Sequence, residues 1–459
     1  MTAPALPSPV RGALTGRYLG SAAGRSALWP ENPDQHRLHA VREGLEDRFL
    51  TRPFFLQKEE VDLLERDLNG IVDLLFSLPE RLFDGDPHAF ASAVGLRPEQ
   101  ARIALRPPVR EPGRIGRADL YHDGTGFRLL EFNLSSALGG LETAELNRLL
   151  LEDPKLADFA TEEGLAFPDS LGAVARLIRE TADNAGHDGG TLRVALMDWH
   201  TGYPKTEPEI RVLARLLGEH GIEAVPCHTG QVREADGRIL ADGRPVDLVY
   251  RFFTLGELTA DSASSARADE LLDAFTRCDV PVLSPLSTSL YSNKRALAML
   301  WDDRCLSTYD ATERALVERL LPWTGELRPG PALVRGERTD LIAYCERNRS
   351  RLVLKPSHGL GGVGTVLGRG VSDGEWSDAL DRASEGRYIV QELVTPQPEY
   401  CPDPETNGLS PWIVNWGAFL VGRRYAGAFL RGLPADRADV ISYDNKAHAG
   451  CAFQATGSA

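Results

Sequence analysis

Leu, Phe and Val recur at three- and four-residue intervals from about residue 55 to 82, the period of a helix that buries one stripe. The pattern then becomes an alternation. From about 114 to 135, apolar Ala118, Leu120, Leu130 and Phe132 interleave with Arg117, Asp119, Glu131 and Asn133. Between the two arms lies Tyr121-His122-Asp123-Gly124-Thr125-Gly126-Phe127, and Asp-Gly flanked by alternating segments predicts a hairpin. A turn centred on Thr125 sets Asp119 opposite Glu131 and Arg117 opposite Asn133, with the four apolar side chains on the other face. After Gly139-Gly140, residues 141–150 read as helix. Residues 192–197 read as a buried strand, 207–220 as a helix ending at Gly221, and 222–225 as the next strand. This is a strand–helix–strand unit of an open α/β layer, to which 247–251 and 280–283 add strands. Residues 1 to about 30, rich in Ala, Pro, Gly and Ser, read as a loose leader, and the Pro-rich stretch 321–331 as a loop or domain-edge segment. No internal repeat is visible.

The chain's 459 residues exceed the usual size of one core, so two or three domains are expected. Apolar residues make up 42% and charged residues 25%, which excludes a disordered chain. A formal charge of -15 argues against a general nucleic-acid binder while allowing a local basic site for an anion such as ATP. Cys227, Cys278, Cys305, Cys345, Cys401 and Cys451 form no Cys-x-x-Cys pair, so neither a zinc site nor a disulfide framework is indicated and a reduced cytoplasm is expected. No stretch has the length of a membrane span or of a signal-peptide core.

Two carboxylates facing each other across a ladder repel unless a cation sits between them. Asp119, Glu131 and the Asn133 amide oxygen form a hard, all-oxygen set that suits Mg2+, and Arg117 on the same face suits a phosphoryl group. The competing reading is a solvated sheet face with an ordinary ion-pair network.

A second signal lies in residues 351–367, where Lys355 precedes Gly359, Gly361, Gly362 and Gly364. These glycines satisfy G-x-G-x-x-G, but Thr365-Val366-Leu367-Gly368 is β-like and opens no helix, so a dinucleotide fingerprint is rejected in favour of strand, glycine loop, strand. Such a loop brings backbone N–H groups to nucleotide phosphates, with Lys355 supplying charge; a plain glycine-rich hairpin is the alternative. In the apolar strand 388–394, the backbone around Gln391, Glu392 and Leu393 offers an adenine hinge, unless Glu392 is merely ion-paired in a central strand. Residues 411–422 and 425–432 form a further hairpin ending in Arg431, which reaches a phosphate, a carboxylate or only solvent. Asp198-Trp199-His200 lacks a nucleophile motif, Asp444-Asn445 reads as a turn, and Cys401 and Cys451 read as inert thiols.

The order of hairpin tetrad, Ser292-Asn293-Lys294 with Leu297 and Leu300-Trp301, Leu354-Lys355-Pro356, glycine loop, Gln391-Glu392 and Leu430-Arg431-Gly432 resembles the circularly permuted ATP-grasp ligases, glutathionylspermidine synthetase-like. In that family the metal-binding strand pair precedes the nucleotide lysines, and this chain follows that order. The resemblance spans about 114–150 and 285–435 and, more loosely, the layer between. Residues 134–140 depart from the Ala-Asp-Thr-Pro-Thr type of run in those synthetases, and nothing resembles the Cys/His amidase domain of some relatives.

The resemblance implies an α/β ATP-grasp fold in permuted order. A leader and helical region would occupy 1–105, a metal hairpin and helix 106–185, an inserted Rossmann-like pre-ATP-grasp domain 190–290 and the nucleotide-binding part 291–459. It implies Asp119, Glu131 and Asn133 as Mg2+ ligands, Arg117 as the transition-state phosphate clamp, and Lys294 and Lys355 as the ATP lysines. Arg431 joins Arg117 as a catalytic candidate, and the Ser135 and Ser136 hydroxyls would orient the carboxylate substrate unless they simply form a serine-rich turn. The implied reaction is amide formation between a small carboxylate and an amine (an amino acid, peptide or polyamine) through an acyl phosphate, without nucleic acid or membrane partners. A small-molecule phosphotransferase and a catalytically silent nucleotide- or peptide-binding module are the alternatives.

Overall fold

The computed structural model describes residues 11–25, 28–45, 48–106, 113–359, 361–384, 388–437, 440–442 and 445–457. Leu360 of the glycine loop and Asp444 of the Asp-Asn turn lie outside them. The helical pattern near residue 60 becomes the helix Lys58–Phe83, whose Val61, Leu64, Leu68, Ile71, Val72, Leu75 and Leu78 enter the core. Glu60 Oε2 accepts from Gln57 N at 2.8 Å at its start, and Asp84 ends it in the left-handed region. Phe55 and Leu56, expected in this helix, instead belong to the strand Phe54–Leu56, paired in parallel with the chain's last strand, His448–Ala455. The leader is not loose where it is described. The helix Ala13–Gly20 buries Leu14, Tyr18 and Leu19, and Tyr18 packs on Phe55 and Phe159.

The largest sheet runs in the order Phe54–Leu56, His448–Ala455, Arg424–Pro434, Gly408–Val421, Ile115–His122, Phe127–Leu134. It joins hairpins almost 300 residues apart in the chain: Gly417 pairs with Asp119 and Phe419 with Arg117, while Asn415 pairs with Arg431. The expected register of the first hairpin holds, with Asp119 opposite Glu131 and Arg117 opposite Asn133, but its turn does not sit on Thr125. Leu120 pairs with Leu129, so a bulge absorbs one residue between the turn and the polar tetrad. The bulge also re-aims a side chain. Leu129 is buried in the core with Ala118, Leu120 and Phe132, whereas Leu130, expected there, lines the cleft.

A second sheet, Val282–Leu283, Leu248–Arg251, Arg193–Asp198, Glu223–His228, is wholly parallel, with the helix Tyr203–Glu219 crossing between its last two members. Val194, Leu196, Leu248 and Tyr250 pack against the helices Ser170–Asn184 and Tyr203–Glu219, while Ala195, Met197 and Val249 face the core shared with the other sheets. The third sheet is antiparallel, in the order Thr324–Glu326, Tyr388–Glu392, Leu352–Pro356, Val366–Leu367. Its first strand lies inside the Pro-rich stretch read as a loop: Thr324 is fully buried, and an edge position tolerates nearby prolines. Among the described residues no helix is long and apolar enough to cross a membrane.

Candidate functional site

The three sheets converge on a cleft of about 1140 Å3. Although the chain carries -15 overall, the described residues lining the cleft include seven Lys or Arg against three Asp or Glu. The hairpin contributes Arg117, Asp119, Glu131 and Asn133, so the register read from the alternation places all four on the cleft side.

Asp119 is held by two arginines. Arg117 Nε donates to its Oδ1 at 2.9 Å, and Arg431 Nη2 donates to its Oδ2 at 2.8 Å and to Asn415 Oδ1 at 2.9 Å. Burial works against ionisation here, but the charges and hydrogen bonds of Arg117 and Arg431 outweigh it and hold the Asp119 carboxyl well below the usual range. Gly417, opposite Asp119, makes this possible: a Cβ there would come 2.8 Å from Arg117 Cδ, so only glycine leaves the guanidinium its path. Glu131 is more open. Lys294 Nζ lies 3.1 Å from its Oε2 and 3.3 Å from Gly359 O, and Asn133 Nδ2 donates to its Oε1 at 3.3 Å.

Arginine and lysine charges thus face both carboxylates. The donor chemistry fits Mg2+: two carboxylates and an amide oxygen face one cleft, and each engaged carboxylate oxygen keeps a lone pair. Among the described residues no group of three or more His, Cys, Asp or Glu side chains could hold a metal, so the remaining ligands would be water and phosphate oxygens.

Lys355 Nζ donates to Gln391 Oε1 at 2.7 Å and lies 3.2 Å from Leu130 O. Burial, with the nearby Lys294 charge, pulls its pKa down to about 8 against the pull of Glu131 and Asp119. The residues of the expected hinge are held by hydrogen bonds and an ion pair within the fold. Gln391 is fully buried, its Nε2 donating to Thr324 Oγ1 at 3.0 Å, so both ends of its amide are spent on positioning Lys355. Glu392 is paired with Arg335, and the N–H of Leu393 donates to Arg351 O at 2.8 Å. The strand is central, and Gln391, Glu392 and Leu393 line the cleft together with Val394, Thr395, Pro396 and Pro398.

Gly359, Gly361, Gly362 and Gly364 have φ of 142°, 66°, 76° and 76°. Gly359, Gly361 and Gly362 line the cleft; Gly364 does not, but its absent Cβ would meet Pro356 Cγ at 2.9 Å. Ser135 lines the cleft while its Oγ accepts from Ala137 N at 3.1 Å. Ser136 does not line it. Fully buried, it places Oγ 2.6 Å from Arg251 O and 3.2 Å from Leu283 O, pinning the hairpin to the parallel sheet.

Sequence reasoning missed Asn415, whose only signal is a polar residue in an apolar strand, and Ser357, which lines the cleft and whose buried Oγ has no partner among the described residues. It also missed His358, whose Nε2 lies 2.8 Å from Asn293 Nδ2 and whose pKa is lowered by burial and the Lys294 and Arg295 charges. Asp198 is structural, as read: its Oδ1 accepts from Trp199 N at 2.8 Å, away from the cleft.

The sequence pattern of the glutathionylspermidine synthase pre-ATP-grasp family matches residues 49–443. Among solved structures, the chain is similar to the apo form of a glutathione synthetase-like effector (GSS30) from Globodera pallida, at 11% identity and TM-score 0.54, over 93% of this chain and 98% of that one. A putative gamma-glutamylcysteine synthetase from Methylobacillus flagellatus matches at 15% identity and TM-score 0.42, over 83% and 87%. No curated protein matches the sequence.

Proposed function

The chain belongs to the glutathionylspermidine synthase pre-ATP-grasp family, and from that premise we propose that it is an ATP-dependent carboxylate–amine ligase working through an acyl phosphate. Membership makes it a synthetase-type ATP-grasp protein that uses ATP on small-molecule substrates. The further step rests on one observation: Arg117, Arg431, Lys294 and Lys355 converge on the facing carboxylates of Asp119 and Glu131, beside a loop of positive-φ glycines. We read the chain order, hairpin before lysines, as a permuted ATP-grasp arrangement, with the parallel sheet as the inserted domain at 190–290.

In this reading a carboxylate oxygen attacks the γ-phosphorus of ATP, ADP leaves, and the amine nitrogen then displaces phosphate from the acyl carbon, losing a proton. Lys355 and Lys294 bind the phosphates, while Arg117 and Arg431 neutralise charge that grows on the transferring group. The N–H groups of the glycine loop and the orphan Ser357 hydroxyl add contacts, and the loop's closure keeps water from the acyl phosphate. The cleft-lining backbone from Gln391 to Pro396 offers the hinge for adenine. Asp119, Glu131 and Asn133 would hold Mg2+, which supplies charge neutralisation at the phosphoryl oxygens.

The test is release of ADP and phosphate from Mg-ATP with amino acids, small peptides and polyamines, beside Glu131→Gln and Lys355→Ala. The expected result is turnover that needs both a carboxylate and an amine and is abolished by either change. A phosphorylated product without free phosphate would make the protein a phosphotransferase. ATP binding with no turnover would leave a silent module.

A further inference from the structure

Arg251 ends the strand Leu248–Arg251 and is 3% exposed. Its Nε donates to Ser284 O at 2.8 Å, its Nη1 to Phe253 O, and its Nη2 to Ser284 Oγ at 3.1 Å. Among the described residues no carboxylate lies within 4.0 Å of it. Glu257, whose charge it feels, gives Oε2 to Thr254 N at 2.7 Å and Thr254 Oγ1 at 2.8 Å. Burial draws the Arg251 pKa down to about 10, so the group stays charged at neutral pH. A buried cation without a counter-ion is costly, and such groups are paired or wait for a ligand.

Its place supports the second case. A guanidinium has five N–H groups; three are engaged, leaving one on each terminal nitrogen to offer a carboxylate. Arg251 lines the cleft, as do Thr254 and Ser289. It pairs with Met197 at the carboxyl end of the parallel sheet, where the chain, having gone from Arg193–Asp198 to Glu223–His228 on one side, returns on the other. Open α/β sheets bind ligands at this switch point. Ser284, which supplies two of the three partners, is buried with φ of 61°, a backbone state that a non-glycine residue holds only where its surroundings impose it.

Resting on the ligase reading above, we infer that Arg251 anchors a second substrate carboxylate, distinct from the one that is phosphorylated. The phosphorylated group must meet the Arg117–Arg431–Lys294 end of the cleft, whereas Arg251 belongs to the other sheet, joined to the hairpin through Ser136. A carboxylate forked by a guanidinium is moreover a poor nucleophile and a good anchor. The substrate pair therefore includes an anionic amino acid or peptide, and a polyamine is repelled from this end of the cleft.

The test is calorimetric titration of the AMP-PNP-loaded protein with amino acids and dipeptides, each against its C-terminal amide, and with spermidine. At least one acid should bind ten-fold or more tightly than its amide, and Arg251→Met should bring that ratio near one without weakening AMP-PNP. Should Arg251→Met not fold, Arg251→Lys, which keeps the charge but loses the fork, should cut the ratio several-fold. No acid preferred over its amide, or a preference that survives both changes, overturns the anchor. ADP release run on the same ligands separates the two readings, and shows whether acyl donor or amine carries the anchored group. Acid preference without turnover keeps the anchor and removes the ligase, whereas equal turnover of acids and amides keeps the ligase and removes the anchor.

Discussion

Arg431 and Asp119, 312 residues apart in the chain, meet at 2.8 Å through adjacent strands of one sheet. With Arg117 on its other oxygen, Asp119 is a buried anion between two cations, and removing it takes a carboxylate partner from each. Asp119→Ala should lower unfolding free energy by about 3–5 kcal/mol in denaturant titration, the scale of breaking a buried charge pair. A loss under about 1 kcal/mol would contradict that account.

Glu131 predicts the opposite balance. Its side chain is 27% exposed and is ion-paired with Lys294. Glu131→Gln should leave stability within about 1 kcal/mol of the parent while reducing ADP release by ~100-fold or more, the scale of losing one preorganised electrostatic group. Equal damage to fold and turnover would make Glu131 a structural residue.

Lys355 sets a pH dependence. With a pKa near 8 in the free protein, it is charged below that pH and neutral above it. Affinity for AMP-PNP should therefore be level between pH 6 and 7.5 and weaken above 8, by at most ~10-fold per pH unit for one proton. Lys355→Met should flatten the profile. A wild-type affinity unchanged up to pH 9.5 would remove Lys355 from the phosphate site.

Ser135 and Ser136 should separate cleanly. Ser136→Ala leaves buried carbonyls of Arg251 and Leu283 without their donor and should cost about 1–3 kcal/mol, with KM unchanged in the folded fraction. Ser135→Ala should spare stability and raise KM for the carboxylate. The reverse pattern would return the substrate role to Ser136.

Gly364→Ala places a Cβ 2.9 Å from Pro356 Cγ at φ of 76°. It should cost ~1–2 kcal/mol locally, the penalty for an L-residue in the left-handed region, and raise KM for ATP. Gly374→Ala is the control, in open space within the helix Asp373–Ala383, and should be neutral or stabilising by up to ~1 kcal/mol.

What local pattern determines was legible. Alternation placed Asp119 and Glu131 on one face, and their expected pairing holds because the bulge offsets the displaced turn. The bulge itself was not legible, since it depends on how Leu129 and Leu130 divide between core and cleft. Arg431 was visible only as a charge ending a hairpin. Its bond to Asp119 needs Gly408–Val421 laid against Ile115–His122, a pairing of distant segments that neither sequence specifies by itself. The hydrogen bonds of Gln391 and Leu393 were hidden for the same reason: they go to Thr324, on a neighbouring strand, and to Arg351, in the turn just before the other. The burial of Leu14 and Tyr18 against Phe55 and Phe159 was hidden by a Pro- and Gly-rich composition.

The central claim is a phosphorylated carboxylate, and the most direct measurement follows an oxygen atom. With the acid identified by ADP release, labelled with oxygen-18 in its carboxylate, turnover with Mg-ATP and the amine should deliver one labelled oxygen to each phosphate released. Unlabelled phosphate, or label kept wholly in a stable phosphorylated product, would contradict the ligase mechanism.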